Sequence, residues 1–255
     1  MSKSLTGKIA LVTGGSRNIG RETALALAGD GADVVLTYIN NETAAERTVA
    51  DIEALGTRAR ALRVNLTGTA ELDGFVAAFA DILSEWGRED FDILVNNAGA
   101  LRRGLFESVT EEDLDFIFDT NYKSVFFLTQ KLGGLIADGG RIVNLGSGTA
   151  RLAFAPLVAY GPLKAALQSL TLYLASFFGG RGITVNAVAP GGLDDDFNAE
   201  LFEEMPQARD YLRSNTAVGR IGMPDDVSGV IAFICRPDAS FISGSVISVD
   251  GGYHL

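Results

Sequence analysis

Short apolar runs and longer amphipathic stretches alternate along this chain. Runs at 9–13, 34–38, 59–64, 91–95, 141–145, 183–189 and 246–250 read as strands. Most are continuous in their apolar character, the pattern of strands covered on both faces of a parallel sheet. Stretches at 21–28, 43–55, 70–86, 111–136, 159–178 and 225–235 read as helices. This alternation implies right-handed crossovers and a doubly wound α/β fold, with one seven-stranded parallel sheet and helices on both faces.

Two places depart from the rhythm. The stretch 197–217 interrupts it and reads as a short helical lid, with its surroundings from 192 to 217, over one edge of the sheet. From 165 to 178 the helix carries no charged residue. A helix apolar all round must be covered on both sides, and a sheet covers only one. With the greasy Val125-Phe126-Phe127-Leu128 run, it predicts a subunit interface built from helices 111–136 and 159–178, in an expected homotetramer; a deeply internal helix is the plainer alternative. No linker, repeat or low-complexity tract divides the chain, so residues 1–255 read as one domain. All six prolines fall at or after Pro156, so the second half is the more irregular.

Composition narrows the class. With 255 residues and 47% hydrophobic content, the chain is long enough to bury a substantial core. No apolar run approaches the roughly 20 residues that span a bilayer, and the opening residues lack a signal-peptide pattern. The single cysteine, Cys235, rules out an internal disulfide framework and lies in an apolar run, where it reads as a buried small hydrophobe. One histidine, His254, and one cysteine make a transition-metal site an unfavoured expectation. A net charge of −11 opposes nonspecific nucleic-acid binding. The expectation is a cytoplasmic protein with a small-molecule partner.

Candidate chemistry lies in two places. Thr13-Gly14-Gly15-Ser16-Arg17-Asn18-Ile19-Gly20 follows the first strand and opens the first helix, the context of a dinucleotide-binding loop. Gly14 permits a sharp turn and Gly20 close helix packing. The helix N-terminus offers free N–H groups and partial positive charge to a pyrophosphate. The second place is Tyr160-Gly161-Pro162-Leu163-Lys164. In a helix, Tyr160 and Lys164 stand one turn apart on one face. A phenol titrates near ~10, and a positive charge within about 4–6 Å lowers that value. Ser147 offers a hydroxyl that can hold a carbonyl or alcohol oxygen.

Together these motifs, spread over essentially the whole chain, resemble the classical short-chain dehydrogenase/reductase family, whose cofactor loop reads T-G-x-x-x-G-x-G. Asn96-Asn97-Ala98-Gly99 is similar to the family's N-N-A-G, Pro190-Gly191 to its cofactor-flanking P-G, and Asp250-Gly251-Gly252 to its C-terminal D-G-G. The resemblance implies a single-domain Rossmann fold and a catalytic tetrad of Asn121, Ser147, Tyr160 and Lys164. Tyr160 would be the general acid in reduction and Lys164 would lower its pKa and hold the nicotinamide ribose. Ser147 would orient the substrate oxygen, and Asn121 would support a water-linked proton path. The implied cofactor contacts are Gly14, Ser16, Arg17, Asn18, Ile19, Gly20, Tyr38, Asn40, Asn65, Leu66, Asn97, Ala98, Gly99, Tyr160, Lys164, Pro190, Gly191 and Leu193. Four positions depart from the family pattern, of which Leu163, in place of a usual small residue, should matter little. Asn18 replaces a glycine and must tolerate left-handed backbone. Asn65 replaces an adenine-binding Asp, and Asp195 stands near a nicotinamide-binding Thr.

Cofactor choice follows charge. The second strand ends Thr37-Tyr38-Ile39-Asn40-Asn41 with no acid before Glu42, where NAD enzymes place a carboxylate. Arg17 can reach a 2′-phosphate, although the family's frequent second basic residue is missing at Ile39. NADP(H) is therefore expected over NAD(H). The leading expectation is a carbonyl reductase or alcohol dehydrogenase resembling 3-oxoacyl-carrier-protein reductases. The alternatives are an NAD-dependent sugar, polyol or steroid alcohol dehydrogenase, and a non-catalytic nucleotide-binding protein. An enoyl reductase is less favoured, because such enzymes usually space Tyr and Lys more widely. Arg102 and Arg103 stand at the expected mouth of the site, as solvated charges or as attractors of an anionic substrate. Asp194, Asp195 and Asp196 read as a capping loop.

Overall fold

The chain places its apolar runs in a single sheet, seen in a computed structural model that describes residues 3–255. The strands are β1 (Ile9–Val12), β2 (Asp33–Tyr38), β3 (Ala59–Arg63), β4 (Phe91–Asn96), β5 (Ile136–Leu145), β6 (Thr184–Pro190) and β7 (Val246–Val249). Their order is β3-β2-β1-β4-β5-β6-β7, and the pairings are parallel. The chain runs outward from β1 to β3, then returns to lay β4 on the other side of β1. That reversal opens a crevice at the carboxyl ends of β1 and β4, the position where such sheets bind ligands.

Helices α1 (Asn18–Gly29), α2 (Glu42–Ala54) and α9 (Pro224–Cys235) cover one face; α3 (Leu72–Glu85), α5 (Ser124–Leu132) and α6 (Tyr160–Phe178) cover the other. β1 shows why its run is continuously apolar. Ala10 and Val12 enter the first core and Ile9 and Leu11 the second, all of them buried. Helix starts follow local chemistry. Asn41 accepts from the Ala44 N–H at 2.9 Å to open α2. Thr110 and Asp113 form a reciprocal capping box that opens α4 (Glu111–Phe118).

The single helix expected over 111–136 is not continuous. α4 ends at Phe118, Asp119–Lys123 form a π-helical turn, and α5 ends at Leu132. The cause is at Asn121, whose amide donates to the carbonyls of Ile117 at 3.0 Å and Ala100 at 2.9 Å. A side chain inserted into the backbone ladder widens the turn. Gly133-Gly134 then ends the helical run, and β5 begins at Ile136 rather than 141.

The stretch 197–217 forms two short helices, α7 (Ala199–Glu204) and α8 (Gln207–Ser214), beside the crevice. On α6, Leu167, Leu170 and Thr171 face inward, while Tyr173 and Phe177 are 74% and 78% exposed. The uncharged helix is thus covered on one side only within the chain. Among the described residues, no helix is long and apolar enough to cross a membrane and no cluster suits a metal ion.

Candidate active site

Threonine hydroxyls fasten the glycine loop to its neighbours. The Thr37 hydroxyl accepts from the Gly14 N–H at 3.0 Å. The Thr13 hydroxyl accepts from the N–H groups of Asn97 and Ala98, each at 2.9 Å. The Asn97 amide returns the contact, donating to the carbonyls of Thr13 at 2.8 Å and Gly14 at 3.2 Å. A Cβ on Gly20 would lie 2.1 Å from the Gly14 carbonyl oxygen, so α1 packs against its own loop as well as the sheet. Asn18 takes φ +49°, in the left-handed region its amide side chain was expected to tolerate. No side chain caps α1 at Arg17, which leaves its first N–H groups open to an anion.

These elements border one cavity of about 610 Å³ across the carboxyl edge of the sheet. Gly14, Ser16, Arg17, Asn18, Ile19 and Gly20 line one end, with Tyr38, Asn40, Asn65 and Leu66 beside them. Asn97, Ala98, Gly99, Pro190, Gly191 and Leu193 line the middle. Ser147, Tyr160 and Lys164 line the same cavity. The sequence reading therefore converges on one space with one exception. Asn121 is fully buried and does not line it. Its amide sits behind the wall and clamps Ala100, with the Ala100 N–H returning to its carbonyl oxygen at 3.3 Å.

Ser147 is held by Thr149, which donates to its Oγ through the hydroxyl at 2.8 Å and the N–H at 3.2 Å. With both lone pairs engaged, the serine proton remains available to donate. Tyr160 opens α6 and Lys164 lies one turn on, both buried. The Lys164 Nζ donates to the Leu145 carbonyl at 2.8 Å and lies 5.5 Å from the centroid of the Tyr160 ring.

The electrostatics correct one expectation. Lys164 was expected to lower the Tyr160 pKa, but burial pushes the phenol above its ordinary value, opposed by the Ser147 hydroxyl and reinforced by Asp195. The same burial drives the Lys164 ammonium down to about 8. Desolvation disfavours the charged form of each in the ligand-free chain. Asp195, also desolvated, is raised despite bonds from the Asn198 N–H and amide.

The two arginines separate. Arg102 packs over the Phe116 ring at 4.6 Å and does not line the cavity. Arg103 does, and donates to the Asn198 Oδ1 at 3.2 Å. Of the acidic run, Asp194 pairs with Arg209 and the Asp195 Oδ1 accepts from the N–H and the amide of Asn198; neither caps α7 by side chain. Sequence reasoning missed Thr13, Thr37 and Thr149, which fix the loops, and the apolar lining of Phe116, Leu152, Phe154, Phe197, Leu212 and Tyr253. A threonine inside the apolar β2 run was a readable signal. The aromatic lining was not, since it comes from α4 and several separate loops.

A family model described as enoyl-(acyl carrier protein) reductase matches residues 14–254. A hydroxynaphthalene reductase-like protein of Metarhizium brunneum is 36% identical over 261 residues, covering 98% of this chain and 96% of that protein. The chain belongs to the short-chain dehydrogenase/reductase family. It is thus an oxidoreductase of that family. The solved structure of LugOII, described as a promiscuous reductase that catalyses keto-reduction in lugdunomycin biosynthesis, is 41% identical, with a TM-score of 0.93 and 99% and 100% of the two chains covered. That of the angucycline C-6 ketoreductase LanV with bound NADP is 39% identical, with a TM-score of 0.95 and 100% and 98% covered.

Proposed function

We propose that this protein is an NADP(H)-dependent ketoreductase acting on a bulky, apolar cyclic ketone or its secondary alcohol. The observation that carries the reading is a single cavity lined by the glycine loop and by Ser147, Tyr160 and Lys164. The cradle fits a dinucleotide. Backbone-only glycines border it, uncapped N–H groups of α1 would hold a pyrophosphate, and Arg17 has no carboxylate within ion-pair distance among the described residues. Glu42, the first acid after β2, does not line the cavity; it accepts from the Tyr38 hydroxyl at 3.1 Å. LanV, a relative, carries bound NADP.

When bound, the nicotinamide cofactor supplies or takes the hydride. The chain does the rest. Ser147 donates its free proton to the carbonyl oxygen and orients it. Tyr160, kept protonated by burial, delivers the proton to that oxygen as charge develops. Lys164 would hold the ribose hydroxyls of the bound cofactor and keep a positive charge near the phenol, and Asn121 fixes the Ala100 backbone. Segment 192–217 acts as the lid and brings Phe197 to 6.4 Å from the Tyr160 ring between centroids. The aromatic lining suits a flat hydrocarbon skeleton better than a polyol, whose hydroxyls would be left unpaired there.

The 3-oxoacyl thioester reading is retained on Arg103, a cationic group in the cavity. Initial rates with NADPH and NADH test both, across fused-ring ketones, 3-oxoacyl thioesters and sugars. Fused-ring ketones reduced with NADPH support the proposal; turnover confined to sugars with NADH overturns it. Assembly through the exposed faces of α5 and α6 is proposed with it, and sedimentation in solution reads the oligomeric state.

A further inference from the structure

NADP-selecting sites usually hold the 2′-phosphate with more than one cation, and the turn after β2 supplies none. It reads Ile39-Asn40-Asn41. A cation does reach that turn from a different strand. β3 pairs with β2 in parallel register, which sets Arg63 beside Tyr38 at the last rung of the ladder. From there the Arg63 guanidinium donates its Nε–H to the Ile39 carbonyl at 3.1 Å. Its charge is felt at the Tyr38 phenol, which it pulls down against the upward push of burial and Glu42. Tyr38, Ile39, Asn40 and Arg17 line the cavity; Arg63 is exposed just outside that lining, so its guanidinium reaches a bound phosphate only by swinging past the Tyr38–Asn40 turn.

We infer that Arg63 is the second cation of a 2′-phosphate site, standing in for the basic residue missing at Ile39. The proposal rests on the NADP(H) reading above. Arg17 approaches from the glycine loop and Arg63 from the end of β3, with the Tyr38–Asn40 turn between them. The bond to Ile39 uses only Nε, so both Nη groups remain to meet phosphate oxygens, the two-donor geometry that suits arginine. No acid of the described residues pairs with Arg63, whereas Arg60, also on β3, lies 3.9 Å from Glu53. The site also explains how a turn with no basic residue of its own can favour a phosphate over a hydroxyl.

The test is calorimetric and needs no turnover. Dissociation constants are measured for NADP⁺, NAD⁺, 2′-AMP and 5′-AMP with the wild type, Arg63→Met, Arg63→Lys and Arg17→Met. Arg63→Met is expected to weaken NADP⁺ and 2′-AMP about tenfold, the scale of one charge-assisted contact. NAD⁺ and 5′-AMP should stay within about twofold, and Arg63→Lys should recover part of the loss. If Arg17→Met loses NADP⁺ selectively and Arg63→Met does not, the Arg63 inference is overturned while the cofactor reading stands. An equal loss of NADP⁺ and NAD⁺ in Arg63→Met also overturns it, as damage to the turn. A wild type that binds NAD⁺ and NADP⁺ alike overturns both.

Discussion

Replacing Lys164 with methionine should stabilise the ligand-free protein. The ammonium is buried, its one described partner is the Leu145 carbonyl, and no carboxylate pairs with it among the described residues. Burial moves its pKa from 10.5 down to about 8. At about 1.4 kcal/mol per pH unit, that displacement corresponds to a cost of about 3 kcal/mol for holding the charge inside. The bond to Leu145 returns about 1 kcal/mol. Lys164→Met, of similar length and apolar, should therefore gain about 2 kcal/mol at pH 7. For a domain of this size that is a rise of roughly 4–8 °C in Tm. The pH dependence gives a second readout. Below about pH 8 both folded and unfolded chains hold the proton, and the full cost is present. Between about 8 and 10.5 the unfolded chain binds more protons, so wild-type stability rises with pH through that window. The methionine variant lacks that rise. Urea denaturation at pH 7 and pH 9.5 measures both effects. A variant less stable than wild type at pH 7, with an unchanged slope toward pH 9.5, would refute the reasoning.

Three further outcomes follow from the same geometry. Tyr160→Phe should lose at least about 10²-fold in turnover while its dissociation constant for NADP⁺ changes little, read by steady-state rates and calorimetry; near-normal turnover removes Tyr160 from the acid role. Gly20→Ala forces a Cβ to within 2.1 Å of the Gly14 carbonyl oxygen, so it should cost about 1–3 kcal/mol and weaken nucleotide binding more than tenfold; unchanged binding would show that the loop yields easily. Cys235 is buried and its thiol is pushed up to about 12, so a thiol-specific reagent should leave the native protein unlabelled at pH 8 and react only in denaturant.

The parallel sheet was legible because both faces of each central strand are buried. Ile9 and Leu11 feed one core, Ala10 and Val12 the other, and no polar residue breaks the run. The site was legible because the loop glycines, Tyr160 and Lys164 carry their chemistry in short local patterns. Asn121 stood out in the sequence only through the family resemblance, and its position behind the wall was not readable. It depends on Ala100, which reaches it through the fold and not through the helix. The break in the helix at Asp119–Lys123 was hidden for the same reason, since its apolar periodicity runs on through it. The raised Tyr160 pKa was missed because spacing gives the distance between two charges and not the solvent withdrawn from both. Arg63 escaped because it belongs to β3 and comes beside the Tyr38–Ile39 turn only through strand register.

The Asn97 amide has a consequence for engineering the enzyme. A Cβ at Gly20 would meet its nitrogen at 2.5 Å, and one at Gly14 at 3.2 Å. The loops after β1 and β4 thus behave as two halves of one casting, shaped around a single side chain. Swapping either loop alone from another enzyme would bring a bump without its recess. A graft intended to change cofactor preference should carry both loops together, with the Thr13 hydroxyl that joins them.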